Sequence, residues 1–220
     1  MRFHGYWRSS AAWRCRIAFN LKGITPELVP VHLTRDGGAQ KSPAFRAINP
    51  QALIPALEVD GQILTQSLAI IEWLDETITD PPLLPGDACH RAKIRALAQV
   101  IACDIHPLQN LRVQHYLRSE FGQDQAAVNG WLLRWLGDGL RAIEELLSEQ
   151  PQHLSFAFGN SPTLADICLA PQLYSADRFG VGYSDLPRIS ALADIYARHP
   201  AFIAAHAHSQ PDSEIPGILP

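Results

Sequence analysis

A chain of 220 residues is one large domain or two small ones, and a hydrophobic share of 47 % is enough to build a core. A net charge of −4 with no basic stripe excludes nucleic acid as an expected partner. No run approaches the roughly 18 apolar residues of a membrane span, and the first residues lack the charged and apolar regions of a signal peptide, so a cytoplasmic protein with no membrane partner is expected.

The apolar pattern predicts a strand over 2–6 and a helix over 11–22. Between them, Arg8-Ser9-Ser10-Ala11-Ala12-Trp13-Arg14-Cys15-Arg16 sets adjacent hydroxyls at a helix N-terminus, flanked by arginines. Free N–H groups and the positive end of the helix dipole suit an anion there, a thiolate in particular. A second strand over 27–31 leads through a polar loop, 34–40, to a short helix over 43–47. Strands over 56–59 and 63–65 form a hairpin around Asp60-Gly61. Ser67 is read as the cap of a helix over 68–77, in which Leu68, Ile71 and Leu74 recur at helical spacing. This strand and helix order is that of a small thioredoxin-like α/β unit.

The proline-dense stretch that follows marks a boundary. Residues 1–79 are read as the thioredoxin-like domain, 80–86 as a linker and 87–220 as an all-helical domain. Helices are expected over 88–118 in one piece, bent if at all at Pro107, and over 125–147, 163–178 and 187–198. Thr163-Leu164-Ala165-Asp166 has the form of a capping box, with Asp in place of the usual Glu or Gln. Beyond Pro200 the apolar pattern fades, and a mobile or surface-draped tail is expected. The expected fold class is an α/β thioredoxin-like N-terminal domain plus an all-α helical C-terminal domain.

Cys15, Cys89, Cys103 and Cys168 form no CxxC pair and read as buried, reduced thiols. The 9 histidines show no metal-ligand spacing, so no metal site is expected. Pro55 stands just ahead of a strand. In thioredoxin-like folds such a proline is cis, and Ile54 then offers its N–H and C=O to a peptide as a short added strand. The alternative is an ordinary strand-opening proline. Ser67 and the N–H groups after it suit a carboxylate, with the Gln66 amide alongside; the alternative is a plain helix cap. A thiolate corner, a backbone-pairing proline and a carboxylate cradle, in this order, suit the three parts of glutathione.

On these residues the chain resembles the zeta-class glutathione transferases. The class carries Ser-Ser-Cys-x-x-Arg, and this chain has Ser9-Ser10-Ala11-Ala12-Trp13-Arg14. The resemblance continues through Lys22-Gly23-Ile24, Asp36-Gly37-Gly38, Asn49-Pro50, Ile54-Pro55 and Gln66-Ser67-Leu68-Ala69-Ile70-Ile71-Glu72, and through 104–111 and 163–166 in the helical half. It implies the glutathione transferase architecture, a homodimer, and glutathione contacts at Ser9, Ser10, Ala11, Ala12, Trp13, Arg14, Gln40, Ile54, Gln66, Ser67, Gln109 and Asn110. His106 stands where the class usually has glutamine, and Ala11 where its motif has cysteine.

The class is similar in function to maleylacetoacetate and maleylpyruvate isomerases, which use glutathione as a catalytic nucleophile. Thiolate addition turns the cis double bond into a single bond, rotation follows, and elimination returns the trans product and glutathione. Lowering a thiol from its usual pKa of about 8.5 by two units takes roughly 2.7 kcal/mol. Ser9, Ser10 and Arg14 are the expected catalytic residues, with Ser9 facing the thiol and Ser10 next in line. A small diacid substrate calls for arginines, and Arg8, Arg112 and Arg178 are the expected clamps. Competing expectations are a broader glutathione transferase or dehalogenase, which wants an apolar pocket, and a non-catalytic glutathione-binding module, which needs no cations. The residues do not choose between maleylpyruvate and maleylacetoacetate.

Overall fold

A computed structural model of the chain describes residues 1–151 and 153–215. The chain divides into two units: Met1–Leu83 together with the chain from Ala197 onward, and Leu84–Tyr196.

In the first unit β1 (Arg2–Gly5) runs parallel to β2 (Glu27–Pro30), as the crossover through α1 (Ser10–Leu21) requires. After α2 (Pro43–Ile48), β3 (Ala56–Val59) and β4 (Gln62–Thr65) form the expected hairpin, and the sheet order is β2-β1-β3-β4. The Ile54–Pro55 peptide is cis. Helix α1 buries Ala12, Trp13, Cys15, Ile17, Ala18 and Phe19. Burial on so many sides follows from its place between α3 (Ser67–Thr77) and α10 (Pro200–Ala205), which both pack on it. Lys22, just past α1, buries its ammonium against Asp75 Oδ1 at 2.7 Å and the Pro81 carbonyl at 2.6 Å. That charge ties the end of α1 to α3 and to the proline-dense stretch.

The sequence pattern and the structure part at the end of the chain. The apolar pattern was expected to fade after Pro200, in a tail belonging to the helical domain. Instead α10 forms there, capped by His199 and opened by Pro200, with Phe202 and Ala205 buried in the first unit. Proline at the first helical position is a start signal that a short helix gives without any periodicity. Of the expected tail, residues 216–220 lie outside the described residues.

The second unit is helical. The single helix expected over 88–118 is broken: α4 (Ala88–Gln99) widens into a π-helical stretch, Val100–Ile105, followed by α5 (His106–Gln109) and α6 (Leu111–Ser119). Pro107 has no N–H to give, and Asn110 leaves the helix with ψ 147° and accepts the Arg112 N–H at 3.1 Å. Helix α7 (Gln125–Ser148) buries Val128, Leu132, Leu136, Leu140, Ile143 and Leu147, one stripe at helical spacing. A Cβ at Gly139 would stand 2.4 Å from Ile105 Cδ1, so glycine lets α7 approach the π-helical stretch. Helices α8 (Leu164–Phe179) and α9 (Pro187–Tyr196) complete the unit.

The capping box is present at the start of α8. Asp166 Oδ2 accepts the Thr163 N–H and hydroxyl, each at 2.8 Å, and Oδ1 accepts the Ala157 N–H at 2.9 Å and the Tyr196 hydroxyl at 2.8 Å. The carboxylate is fully buried, and desolvation raises its pKa against the pull of these donors. Asp166→Ala leaves the donors unpaired in the core. It is expected to destabilise the chain by about 3 kcal/mol or more, read as a fall in the urea midpoint; a midpoint matching the parent would overturn this reading of the box.

Candidate active site

Ser9 caps α1: its backbone is extended, at φ −72° and ψ 116°, and its Oγ accepts the Ala12 N–H at 3.2 Å. Capping uses a lone pair and leaves the hydroxyl proton free to be donated. Ser9 is half-buried, whereas Ser10 is 8 % exposed and already part of the first helical turn. Ser9 therefore presents the more accessible hydroxyl to an anion at the helix start. Arg8 precedes it with its guanidinium 5.1 Å from the Trp7 ring centroid, and among the described residues that guanidinium has no hydrogen bond or ion pair.

Arg14 is buried at the junction of α1 and α3. It is 2 % exposed, and its Nη1 donates to Ser67 Oγ at 3.4 Å, joining the first turns of α1 and α3. Cys15 Sγ reaches the Ser67 carbonyl at 3.8 Å across the same junction. Ser67 is not the cap expected of it. The cap is Gln66, held at φ 71°, and Ser67 is the first helical residue. The Gln66 amide donates to Gln51 Oε1 at 2.8 Å on the exposed side.

Ile54 is half-buried ahead of the cis peptide, and no hydrogen bond within the described residues engages its backbone N–H or C=O. Gln40 donates to the Leu33 carbonyl at 3.2 Å, and its buried Oε1 has no partner among the described residues. Gly38 makes that placement possible. It sits at φ 100°, and a Cβ there would stand 2.5 Å from the Gln40 amide.

In the helical unit His106, Gln109, Asn110 and Arg112 follow one another across the α5–α6 break. Gln109 is buried and its amide is exchanged with that of Gln172, at 3.0 and 3.3 Å, so it faces a partner within the unit. Asn110 is occupied as the cap of α6. Arg112 is exposed and lines a cavity of about 770 Å³ whose other walls include Val113, Tyr116, Phe121, Val128 and Trp131. It is the only charged lining residue, and its guanidinium has no bond within the described residues. Arg178 is exposed in the last turn of α8, over the Phe179 ring at 4.8 Å.

Two features escaped the sequence pattern: the backbone contacts of Arg16, and the last described segment of the chain, which packs beside the Ser9 corner. His206 meets the Trp13 ring edge-on at 4.8 Å between centroids. No local signal announces a contact between positions so far apart. Cys89 and Cys103 were expected to be buried and are exposed, since their positions on α4 and in the π-helical stretch face outward. Among the described residues no group of His, Cys, Asp or Glu side chains could hold a metal ion, and no helix is long and apolar enough to cross a membrane.

Residues 8–77 match the glutathione S-transferase N-terminal domain family, and residues 125–202 the C-terminal domain family. The chain is 47 % identical to a maleylacetoacetate isomerase of Pseudomonas aeruginosa, over 97 % of this chain and 99 % of that one. It superimposes on the holo structure of maleyl pyruvate isomerase, a bacterial zeta-class glutathione S-transferase, with a TM-score of 0.93 and 46 % identity, covering 97 % of this chain and 100 % of that chain. A maleylacetoacetate isomerase of Methylobacterium extorquens AM1, solved with bound malonate and glutathione, matches with a TM-score of 0.92 and 39 % identity, covering 98 % of this chain and 100 % of that chain.

The electrostatics beside Trp13 carry a pH signature. Burial, aided by the like charges of His208 and Arg16, holds the His206 pKa at about 4 instead of 6.5. Between these values the unfolded chain binds a proton that the folded imidazole refuses, so stability falls as pH drops from 6.5 towards 4. His206→Asn keeps an acceptor for the His208 N–H and removes the titration. It is expected to flatten the pH dependence of the thermal midpoint across that window, and a slope equal to the parent's would remove His206 from the account.

Proposed function

The chain belongs to the glutathione S-transferase family, zeta class, and we propose that it acts there as a glutathione-dependent cis–trans isomerase of a maleyl keto-diacid, maleylpyruvate or maleylacetoacetate. One observation carries the reading: among the described residues, a capping Ser9 whose proton is uncommitted stands at the start of α1, in the same unit as an Ile54 whose backbone N–H and C=O are unengaged. An extended peptide needs backbone pairing of that kind, and a thiolate needs that donor. The residues present thus fit glutathione. When bound, it supplies a thiolate that adds reversibly to the cis double bond, and so permits rotation.

The residues of this chain hold and activate. Ser9 donates its hydroxyl proton to the thiolate, aided by the α1 dipole. Ile54 pairs with the peptide backbone, and the start of α3 at Gln66 and Ser67 receives a carboxylate. Arg14 is assigned a positioning role, because its guanidinium fixes Ser67 relative to α1. Gln40 offers its unpaired Oε1 to a donor on glutathione. Arg8 and Arg112, whose guanidinium groups have no bond among the described residues, are proposed as clamps for the substrate carboxylates, with Arg178 as a third. His106, Gln109 and Asn110 are proposed as further glutathione contacts on the family resemblance. The protein is further proposed to work as a homodimer in the cytoplasm, in the breakdown of aromatic compounds.

Both cis substrates are to be assayed with and without glutathione, and glutathione-dependent conversion of at least one is expected. Conversion of neither would overturn the proposal. Ser9→Ala is expected to raise the pKa of bound glutathione and to lower turnover about tenfold or more, the scale of one hydrogen bond to a charged group. The thiolate absorbance against pH reads the first effect, and an unchanged titration would move the role to Ser10 or to backbone amides.

A further inference from the structure

The β1–α1 turn that presents Arg8 and Ser9 is held from the far end of the chain. Both backbone polar groups of Trp7 are taken by side chains. Its N–H donates to Asp212 Oδ2 at 2.9 Å, and its carbonyl accepts Arg16 Nη2 at 2.8 Å. Arg16 also donates to the Tyr6 carbonyl at 3.3 Å and to the Ala205 carbonyl at 3.1 Å, at the end of α10. The Tyr6 carbonyl takes the Ser9 N–H as well, at 3.0 Å. The Trp7 ring is 1 % exposed, with His208 at 6.1 Å between centroids on one side and the Arg8 guanidinium over it. Further along, Glu214 bonds His32 at 2.9 Å and pairs with Arg35, so the segment is pinned beyond Asp212 as well. Residues 205–214 thus form a strap across the turn.

We infer that Asp212 is a positioning residue for the reaction: by holding the Trp7 N–H it sets where the Ser9 hydroxyl and the Arg8 guanidinium stand. Within the described residues this carboxylate is the acceptor given to that N–H, and its other oxygen, Oδ1, is buried without a partner. Removing it frees one side of a peptide unit that lies two residues ahead of the capping serine. The buried Arg16 then loses a compensating negative charge, since Asp212 is the largest influence opposing its desolvation.

The inference rests on the Ser9 corner being the thiol site, and the test separates the two. Asp212→Ala and Asp212→Asn are compared with the parent, full-length and with glutathione present. The readouts are the thiolate absorbance against pH, kcat and KM for the cis substrate, and the thermal midpoint. Asp212→Ala is expected to move the thiol titration upwards and to lower kcat about tenfold, the scale of one lost hydrogen bond. Asp212→Asn, which retains an oxygen for the Trp7 N–H, is expected to recover most of both. A titration and kcat in Asp212→Ala equal to the parent's, or an Asn variant as impaired as the Ala variant, would overturn the role of Asp212 alone. A parent chain that binds no glutathione would overturn the site reading and this inference together. Should Asp212→Ala not fold, hydrogen exchange at the Trp7 amide of the parent decides: slow exchange is expected, and exchange at the rate of an open loop overturns the inference.

Discussion

Two donors meet at the Tyr6 carbonyl, the Ser9 N–H and the Arg16 guanidinium, and the geometry of the first unit follows from that meeting. A chain leaving a sheet and entering a helix within four residues must turn where its backbone groups are hidden from water, and each hidden group needs a partner. Helix α1 cannot supply them, because its own first N–H groups face forward. A guanidinium can, since it carries several donors in a fixed plane and keeps its charge when buried. Burial still shows: the Arg16 pKa is lowered to about 10. The cost is offset by three carbonyls and by the negative charge of Asp212. The turn is thereby fixed at the Tyr6 and Trp7 carbonyls, just ahead of the capping serine.

The two units meet different physical demands. Stabilising a thiolate by two pKa units takes roughly 2.7 kcal/mol. Short-range donors and a helix dipole act over a few ångströms and suit that task, and the first unit supplies them. Recognising a diacid would be a matter of charge and shape, and the helical unit carries exposed arginines and an apolar cavity wall. Arg8 belongs to the first unit. Its guanidinium lies 5.1 Å from the Trp7 ring centroid, within the range of a cation–π contact.

What the sequence made legible is what neighbours decide. The hairpin at Asp60-Gly61, the capping box at Thr163 and Asp166, and the serine-started helix each depend on residues a few positions apart, and each is present. The break at Asn110 was hidden because its cause is a local competition: the Asn110 side chain takes an N–H that a continuous helix would have left in place. Ser67 was read as a cap because serine favours that position, yet the strand before it forces the positive φ onto Gln66. The strap was invisible altogether. Trp7 and Asp212 are separated by 205 positions, and neither has a neighbour that announces the other. Gln109 shows the converse: it ends the short α5 rather than continuing one long helix, and its amide is committed to Gln172, because periodicity gives a face and not a partner.

The same physics explains why the residues do not choose between the two candidate substrates. Maleylpyruvate and maleylacetoacetate present the same cis double bond between carboxylate ends and differ by a methylene in the chain. A methylene in an apolar pocket is worth only about 1–3 kcal/mol of discrimination. Arginines on long stems adjust their reach by more than one carbon–carbon bond, so charge pairing discriminates less still. A sharper preference would need a rigid cation on each side of the reacting bond. Arg8 lies over the buried Trp7 ring, whereas Arg112 stands exposed on its cavity wall with nothing within the described residues to fix its guanidinium.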